Sequence, residues 1–218
     1  MSVRPIFAKH AQMQGSDDRS FRAYQRIAPV YDLLDLPFEL GRYRSIRPLL
    51  FRGLDGRLLD AGVGTGRNIE FYPPGCEVIG VDQSPAMLER ASRRRPESNA
   101  TIQLIETDLT RLPFEQGYFD AAVASFVFCA MKQDQRLAAL RELSRVVKPS
   151  GRIRLLEYAP ARTPFRRGLS RLWQPWVDWA FAATLDHDIE EDLANTSLRV
   201  VSSVEVTAAI KLVEAAAA

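Results

Sequence analysis

One nine-residue stretch constrains this chain more than any other: Leu58-Leu59-Asp60-Ala61-Gly62-Val63-Gly64-Thr65-Gly66. An apolar run of strand character leads into glycines spaced i, i+2 and i+4, with a carboxylate just ahead of them. Glycine lets the backbone turn sharply and come close to a ligand, because no Cβ intervenes. A helix opening near Arg67 would aim its free N–H groups and positive dipole end at that ligand. The stretch therefore predicts a strand, a ligand-facing loop and a helix.

The rest of the chain alternates in the same way. Glu77–Val81 is a second strand, closed by the turn Asp82-Gln83-Ser84-Pro85. Ser84 can cap a helix with Pro85 at its first position, running through Met87, Leu88 and Ala91. Thr101–Ile105 and Phe119–Ala124 are a third and fourth strand, apolar enough for a buried sheet. Gln133–Val147 is amphipathic, with Leu137, Leu140, Leu143 and Val147 along one face and Lys148-Pro149-Ser150-Gly151 as its stop. Arg152–Tyr158 is a fifth strand. Asp188–Asn195 reads as a short helix, Leu198–Val206 and Thr207–Val213 as a terminal hairpin, and Ala215–Ala218 as a frayed or appended end. Strands alternating with helices predict a doubly wound, parallel α/β sheet.

Spacing separates the ligands such a loop can take. A dinucleotide loop is Gly-x-Gly-x-x-Gly, whereas this one is Gly-x-Gly-x-Gly behind Asp60. An acid so close would repel a pyrophosphate, but it suits an ammonium group. Asp82, at the end of the second strand, can accept both hydrogens of a ribose diol. Asp108, in Thr107-Asp108-Leu109 after the third strand, is placed to accept from an exocyclic adenine amine. Ammonium, ribose and adenine without phosphate describe S-adenosylmethionine.

On these residues the chain resembles the class I S-adenosylmethionine-dependent methyltransferases, over roughly Leu58 to Tyr158. The matching segments are Asp60 to Gly66, Val81-Asp82-Gln83-Ser84, Thr107-Asp108-Leu109, and Leu112-Pro113-Phe114 with Phe119-Asp120. Leu143 to Gly151 is similar to the family's link into the fifth strand, with Pro-Ser-Gly where Pro-Gly-Gly is usual. The resemblance implies a Rossmann-like, seven-stranded doubly wound sheet, last strand antiparallel, with an N-terminal helical lid over residues 1–56 and the methyltransferase domain over 57–218. It implies S-adenosyl-L-methionine as cofactor, with contacts at Asp60, Ala61, Gly62, Gly64, Gly66, Asp82, Gln83, Met87, Asp108, Leu109 and Ser125.

The flanks point to the acceptor. Tyr24 to Asp32 resembles the lid of ubiquinone/menaquinone-type and bacterial phospholipid N-methyltransferases. Phe71 to Cys76 and Phe126 to Cys129 are similar to a small-thiol, membrane-associated methyltransferase group. All three handle hydrophobic or membrane-derived acceptors. The sequence expectation is phosphatidylethanolamine N-methylation, with quinone C-methylation, thiol S-methylation and an inactive cofactor-binding module as alternatives. Tyr24 and Tyr31, seven apart on one helical face, are the candidate catalytic pair, able to steer a developing ammonium by hydrogen bonding and cation–π attraction.

Composition enters through arginine. Four lysines and 25 arginines stand against 27 acids, a net charge of only +2. The total has two readings, GC-rich codon usage or arginines that hold a planar anion such as phosphate or carboxylate, and the count alone does not decide between them. Arg162, Arg166, Arg167 and Arg171 precede Trp173, Trp176 and Trp179, a pairing suited to an anionic membrane interface. Arg93-Arg94-Arg95 is expected as a solvated helix end. No apolar run approaches ~20 residues and residues 1–15 lack a secretory signal pattern, so the expectation is cytoplasmic, with peripheral contact at the inner membrane face. Near-zero net charge without a recognition module argues against nucleic acid. Cys76 and Cys129 are expected as core residues and His187 as part of a solvated loop and helix cap. No metal is expected.

Overall fold

The computed structural model describes residues 39–160 and 187–217. Its centre is a seven-stranded sheet built from β1 (Arg57–Ala61), β2 (Glu77–Asp82), β3 (Thr101–Glu106), β4 (Phe119–Ser125), β5 (Val147–Tyr158), β6 (Leu198–Thr207) and β7 (Ile210–Ala217). The strand order is β3-β2-β1-β4-β5-β7-β6. β1 pairs in parallel with β2 and β4, β2 with β3, and β4 with β5. Only β7 runs against its neighbours β5 and β6. The doubly wound sheet with its antiparallel last strand is thus as expected.

Among the described residues, three helices of six or more residues pack on it: α1 (Pro85–Arg94), α2 (Gln133–Val146) and α3 (Ile189–Ala194). Ser84 caps α1, its hydroxyl accepting from the Met87 N–H, and Pro85 occupies the first turn. Asp188 caps α3 by accepting from the Glu190 N–H. Alternate residues of each central strand feed two apolar layers. One holds Leu59, Ala61, Phe119 and Leu155 with Leu140 and Leu143 of α2 and Leu193 of α3. The other holds Leu58, Val78, Val123 and Leu156 against Ala91 of α1 and a helical segment over 39–51 that contributes Ile46, Leu50 and Phe51. That segment is irregular, a π-helical Glu39–Tyr43 followed by Arg44–Ile46 and Pro48–Phe51.

Several expectations are corrected. No α-helix opens at Arg67; a single 3₁₀ turn, Ile69–Phe71, stands there. Pro73 and Pro74 follow at once, and proline both lacks the N–H to extend a helix and disfavours helical backbone in the preceding residue. α2 ends at Val146, one residue early, and Val147 already belongs to β5. The pairing of β4 with β5 shifts between Phe119 and Ala121, so Lys148-Pro149-Ser150 forms an exposed irregularity inside the strand rather than a stop before it. Ala215 and Ala216 are not frayed: both are buried, and Ala215 is registered with Ile153 and Val200. Residues 1–38, with the lid resemblance, Tyr24 and Tyr31, and residues 161–186, with the arginine–tryptophan stretch, lie outside the described residues.

Candidate active site

Strand order reverses at β1: β2 and β3 lie on one side of it, β4 and β5 on the other. In open α/β sheets ligands bind beyond the carboxyl ends of the strands at such a point. The glycine loop occupies that position. Gly62 N and Val63 N both donate to Val81 O at 2.9 Å, tying the loop to β2. Gly62, Gly64 and Gly66 have φ of +73°, +53° and +83°. A Cβ at Gly66 would lie 2.9 Å from Ala91 Cα, and one at Gly62 would lie 2.5 Å from Val127 Cγ2. The loop is therefore wedged between α1 and the turn after β4. Around Gly64 only the loop's own Gly62 carbonyl lies within 4 Å of the Cβ position, leaving this edge open.

Asp82 joins the loop to β2. Its Oδ2 accepts from Gly64 N at 3.0 Å and its Oδ1 from Ser84 N at 2.8 Å. Burial pushes its pKa up to about 6, against the pull of these backbone N–H groups. Each oxygen keeps lone-pair capacity for a further donor.

Under the loop lies a buried polar network. Asp60, fully buried, accepts from both Asn68 Nδ2 (3.2 and 3.1 Å) and the Tyr72 hydroxyl (2.6 Å). Burial raises its pKa to about 6, while Tyr72, Asn68 and the Arg47 charge hold it down. Tyr72 is pushed well above the usual phenol range by burial and by Asp60. Asn68 Nδ2 also reaches Ser125 Oγ at 3.1 Å, and its Oδ1 accepts from Arg47 at 2.9 Å. Arg47 donates further to Ser125 Oγ and, in a two-pronged pair at 2.8 and 2.9 Å, to Glu39. Asp60 and Glu39 thus share the field of one guanidinium, and a buried carboxyl so close beneath the loop suits a cationic ligand better than a phosphate.

Beyond β4 the chain makes a tight turn at 126–130. Phe126 has φ +56°, the one non-glycine in the left-handed region among the described residues. Its ring stacks on Tyr43 at 4.6 Å and contacts Tyr158 at 5.1 Å, and the two tyrosine hydroxyls are 2.9 Å apart. Glu157, fully buried at the end of β5, accepts from Val127 N and Phe128 N at 2.8 Å each. Cofactor loop and aromatic wall therefore meet at Val127.

A methyltransferase-domain family model matches residues 59–155. The ubiquinone/menaquinone biosynthesis C-methyltransferase UbiE of Syntrophotalea carbinolica is 36% identical over 171 residues, covering 75% of this chain and 70% of its own length. The chain belongs to the class I S-adenosylmethionine-dependent methyltransferases. The demethylmenaquinone methyltransferase of Thermus thermophilus is 35% identical over 145 residues, 63% of this chain and 64% of its own length, so this chain spans just under two thirds of that relative. Among solved structures, geranyl diphosphate C-methyltransferase from Streptomyces coelicolor, in complex with S-adenosyl-L-homocysteine, superposes with a TM-score of 0.64 at 18% identity, over 80% of this chain and 76% of its own. A SAM-dependent methyltransferase from Aquifex aeolicus superposes with a TM-score of 0.62 at 18% identity, over 88% and 98% of the two chains.

S-adenosylmethionine is the methyltransferase's cofactor, and the residues present fit it: an open glycine edge, a carboxyl with spare acceptors, and the buried Asp60 carboxyl beneath. Of the expected contact residues, Asp60, Gly62, Gly64, Gly66, Asp82 and Ser125 form one continuous cluster. Gln83 lies beside it, partly exposed, and Met87 and Ala61 are buried. Asp108 is exposed and accepts from Thr110 N, and Leu109 packs partly on the core. Tyr24 and Tyr31 lie outside the described residues. His187 is not solvated: it is buried, its Nε2 is 2.8 Å from Asp192, and burial lowers its pKa. Arg94 and Arg95 are not simply solvated either, since they donate to the Thr65 and Ile102 carbonyls. Cys76 and Cys129 are buried free thiols, as expected. No cluster able to hold a metal and no helix long and apolar enough to cross a membrane occurs among the described residues.

Sequence reasoning missed Glu39, Arg47, Asn68, Tyr72, Phe126 and Glu157. Two of them carried a signal: Asn68 is a polar residue directly behind the glycine loop, and Glu157 is an acid inside the apolar run Leu155-Leu156-Glu157-Tyr158.

Proposed function

We propose that this methyltransferase methylates a ring carbon of a quinone-type aromatic acceptor in its reduced, hydroquinone form. The observation that carries the reading is the aromatic wall of Tyr43, Phe126 and Tyr158, which abuts the glycine loop through Val127. A flat ring stacks on such a wall, and the paired tyrosine hydroxyls can hydrogen-bond a ring oxygen. The relatives named above as quinone methyltransferases support it. The expected phosphatidylethanolamine acceptor has less behind it, since Tyr24, Tyr31 and the tryptophan–arginine stretch lie outside the described residues.

When bound, the cofactor supplies an electrophilic methyl group on a sulfonium. The chain's task is then to align donor and acceptor and exclude water. Asp82 would accept the ribose hydroxyls and Asp108 the adenine amine. Asp60, sealed beneath Asn68 and Tyr72, acts on the cofactor's positive charge through its field and through Asn68 rather than by contact. An activated hydroquinone ring would itself be the carbon nucleophile: its C–CH3 bond would form as the S–CH3 bond breaks to leave a neutral thioether, and the proton of the methylated carbon would pass to water.

Labelled cofactor and purified protein should be offered demethylmenaquinol, phosphatidylethanolamine vesicles and small thiols in parallel. Label on a quinone ring carbon is the expected result. Label found only in methylated headgroups or thioethers would overturn the quinone assignment while leaving the methyltransferase intact.

A further inference from the structure

Glu157 is a fully buried carboxyl with no part in holding the cofactor or the aromatic wall directly. One oxygen, Oε1, takes the N–H groups of both Val127 and Phe128 at 2.8 Å. The other, Oε2, is buried without a hydrogen-bond partner among the described residues. The turn it holds carries two demands at once. Phe126 sits at φ +56°, a backbone that costs a bulky residue free energy and persists only where its surroundings enforce it. Val127 is pressed so tightly on Gly62 that no side chain could replace that glycine's hydrogen without displacing it. Hydrogen bonds to an ionised acceptor are roughly twice as strong as neutral ones. The charge state of this one side chain therefore decides how firmly the turn is held.

We propose that Glu157 is a positioning residue whose carboxylate, through the Val127 and Phe128 amides, sets Val127 against the cofactor loop and Phe126 against its tyrosines, so that proton uptake at this side chain loosens both together. The charged groups around it are already engaged. Cys129 of the same turn donates its thiol to Phe126 O at 3.4 Å, and its amide and thiol also favour the ionised Glu157 carboxyl. Arg136 of α2 is bound to Asp192 and to Met131 O. Lys211, registered opposite Glu157 on β7, is bound to Asp188 and Glu190. His187 is bound to Asp192. An environment with no cation committed to the carboxylate agrees with burial raising its pKa to about 7. The device thus works at neutral pH, with the charged, holding form present above the midpoint. That the wall receives the acceptor rests on the reading above; the coupling of wall to loop does not.

The test needs no acceptor. In ¹⁵N-labelled protein, amide resonances of Phe126, Val127, Phe128 and Gly62 are followed from pH 5.5 to 8.5. The expected result is that Val127 and Phe128 move upfield as pH falls through about 7, and that Gly62 and Phe126 shift with the same midpoint. In Glu157→Gln, whose side-chain oxygen still accepts both N–H groups without titrating, this step should vanish from all four. Should that variant fail to fold, Val127→Ala serves: the step should remain at Phe128 and disappear at Gly62. A step that survives in Glu157→Gln, or that never reaches Gly62 in the wild type, overturns the proposal.

Discussion

The two loops that meet at Val127 solve the same conformational problem in opposite ways. Both carry left-handed backbone at the carboxyl end of a central strand. The loop after β1 uses glycine at all three such positions, where φ > 0 costs no steric energy. The turn after β4 places Phe126 there and is held by Glu157, about thirty residues further along the chain. One loop contains its own solution, whereas the other borrows it from a neighbouring strand. The first needs nothing but its glycines to adopt its backbone angles, although Val81 O and Asp82 of β2 tie it in place, and the second answers to whatever changes the borrowed residue.

The largest test of this difference falls on the self-sufficient loop. Gly66→Ala adds a Cβ 2.7 Å from Ile69 Cδ1 and 2.9 Å from the Ala91 backbone, at a φ alanine seldom adopts. Strain and overpacking together should cost roughly 2–4 kcal/mol of stability. Denaturant melts of the variant and the wild type measure it. A loss under about 0.5 kcal/mol, the range of an ordinary surface substitution, would mean that the loop is not wedged as described.

Asp82→Asn comes next and reads the ligand side of the same loop. It should weaken S-adenosylmethionine binding by about 1–3 kcal/mol, roughly 5- to 150-fold in Kd. Wild-type affinity should also rise with pH through about 6, because hydroxyl donors and a cationic ligand favour the ionised carboxyl. In the variant that rise should shrink, and calorimetry at pH 5.5 and 7.5 separates the outcomes. Stability of the ligand-free protein runs the other way. Asp60, Asp82 and Glu157 all hold their protons more tightly folded than unfolded. Between the free-carboxyl range and about 7 the folded state therefore binds more protons, and their contribution to stability is lost as pH rises through that window. Buried His187, with its pKa lowered, contributes in the opposite sense below its ordinary value.

The same contrast explains what the sequence could disclose. The central strands, the glycine loop and Asp82 were legible because their requirements are local: apolar runs, glycine spacing and an acid at a strand end. The absence of a helix at Arg67 is legible too, in Pro73-Pro74 close behind the glycine pattern. Arg47 was not, since nothing local marks it among 25 arginines. It matters because folding brings Glu39, Asn68 and Ser125, the last 78 residues away, around its guanidinium. The arginine excess proves to include cations for the chain's own carboxyls, with Arg47 on Glu39, Arg136 on Asp192, Arg145 on Glu142 and Arg154 on Glu214. Phe126 is illegible for a further reason: aromatic residues carry no preference for left-handed backbone, so only the tertiary structure puts one there.

The smallest expected effect sharpens the comparison most, because it asks whether Phe126 truly pays for its place. Phe126→Gly removes the ring from Tyr43 and Tyr158 but also relieves the φ of +56°. Lost aromatic contacts cost about 0.5–1.5 kcal/mol per pair beyond burial, and relief of a left-handed non-glycine returns about 1–3 kcal/mol. Phe126→Leu keeps more apolar surface and all of the strain. If the turn is strained, the relief offsets most of what the leucine gains by burial, and the glycine variant should come close to the leucine variant despite burying less. If it is not, the leucine variant should win by the value of its extra buried carbon, about 1.5–3 kcal/mol for a full leucine side chain. Thermal melts of the two variants side by side give the difference, and a clear advantage for leucine would mean that the turn after β4 is as relaxed as the glycine loop beside it.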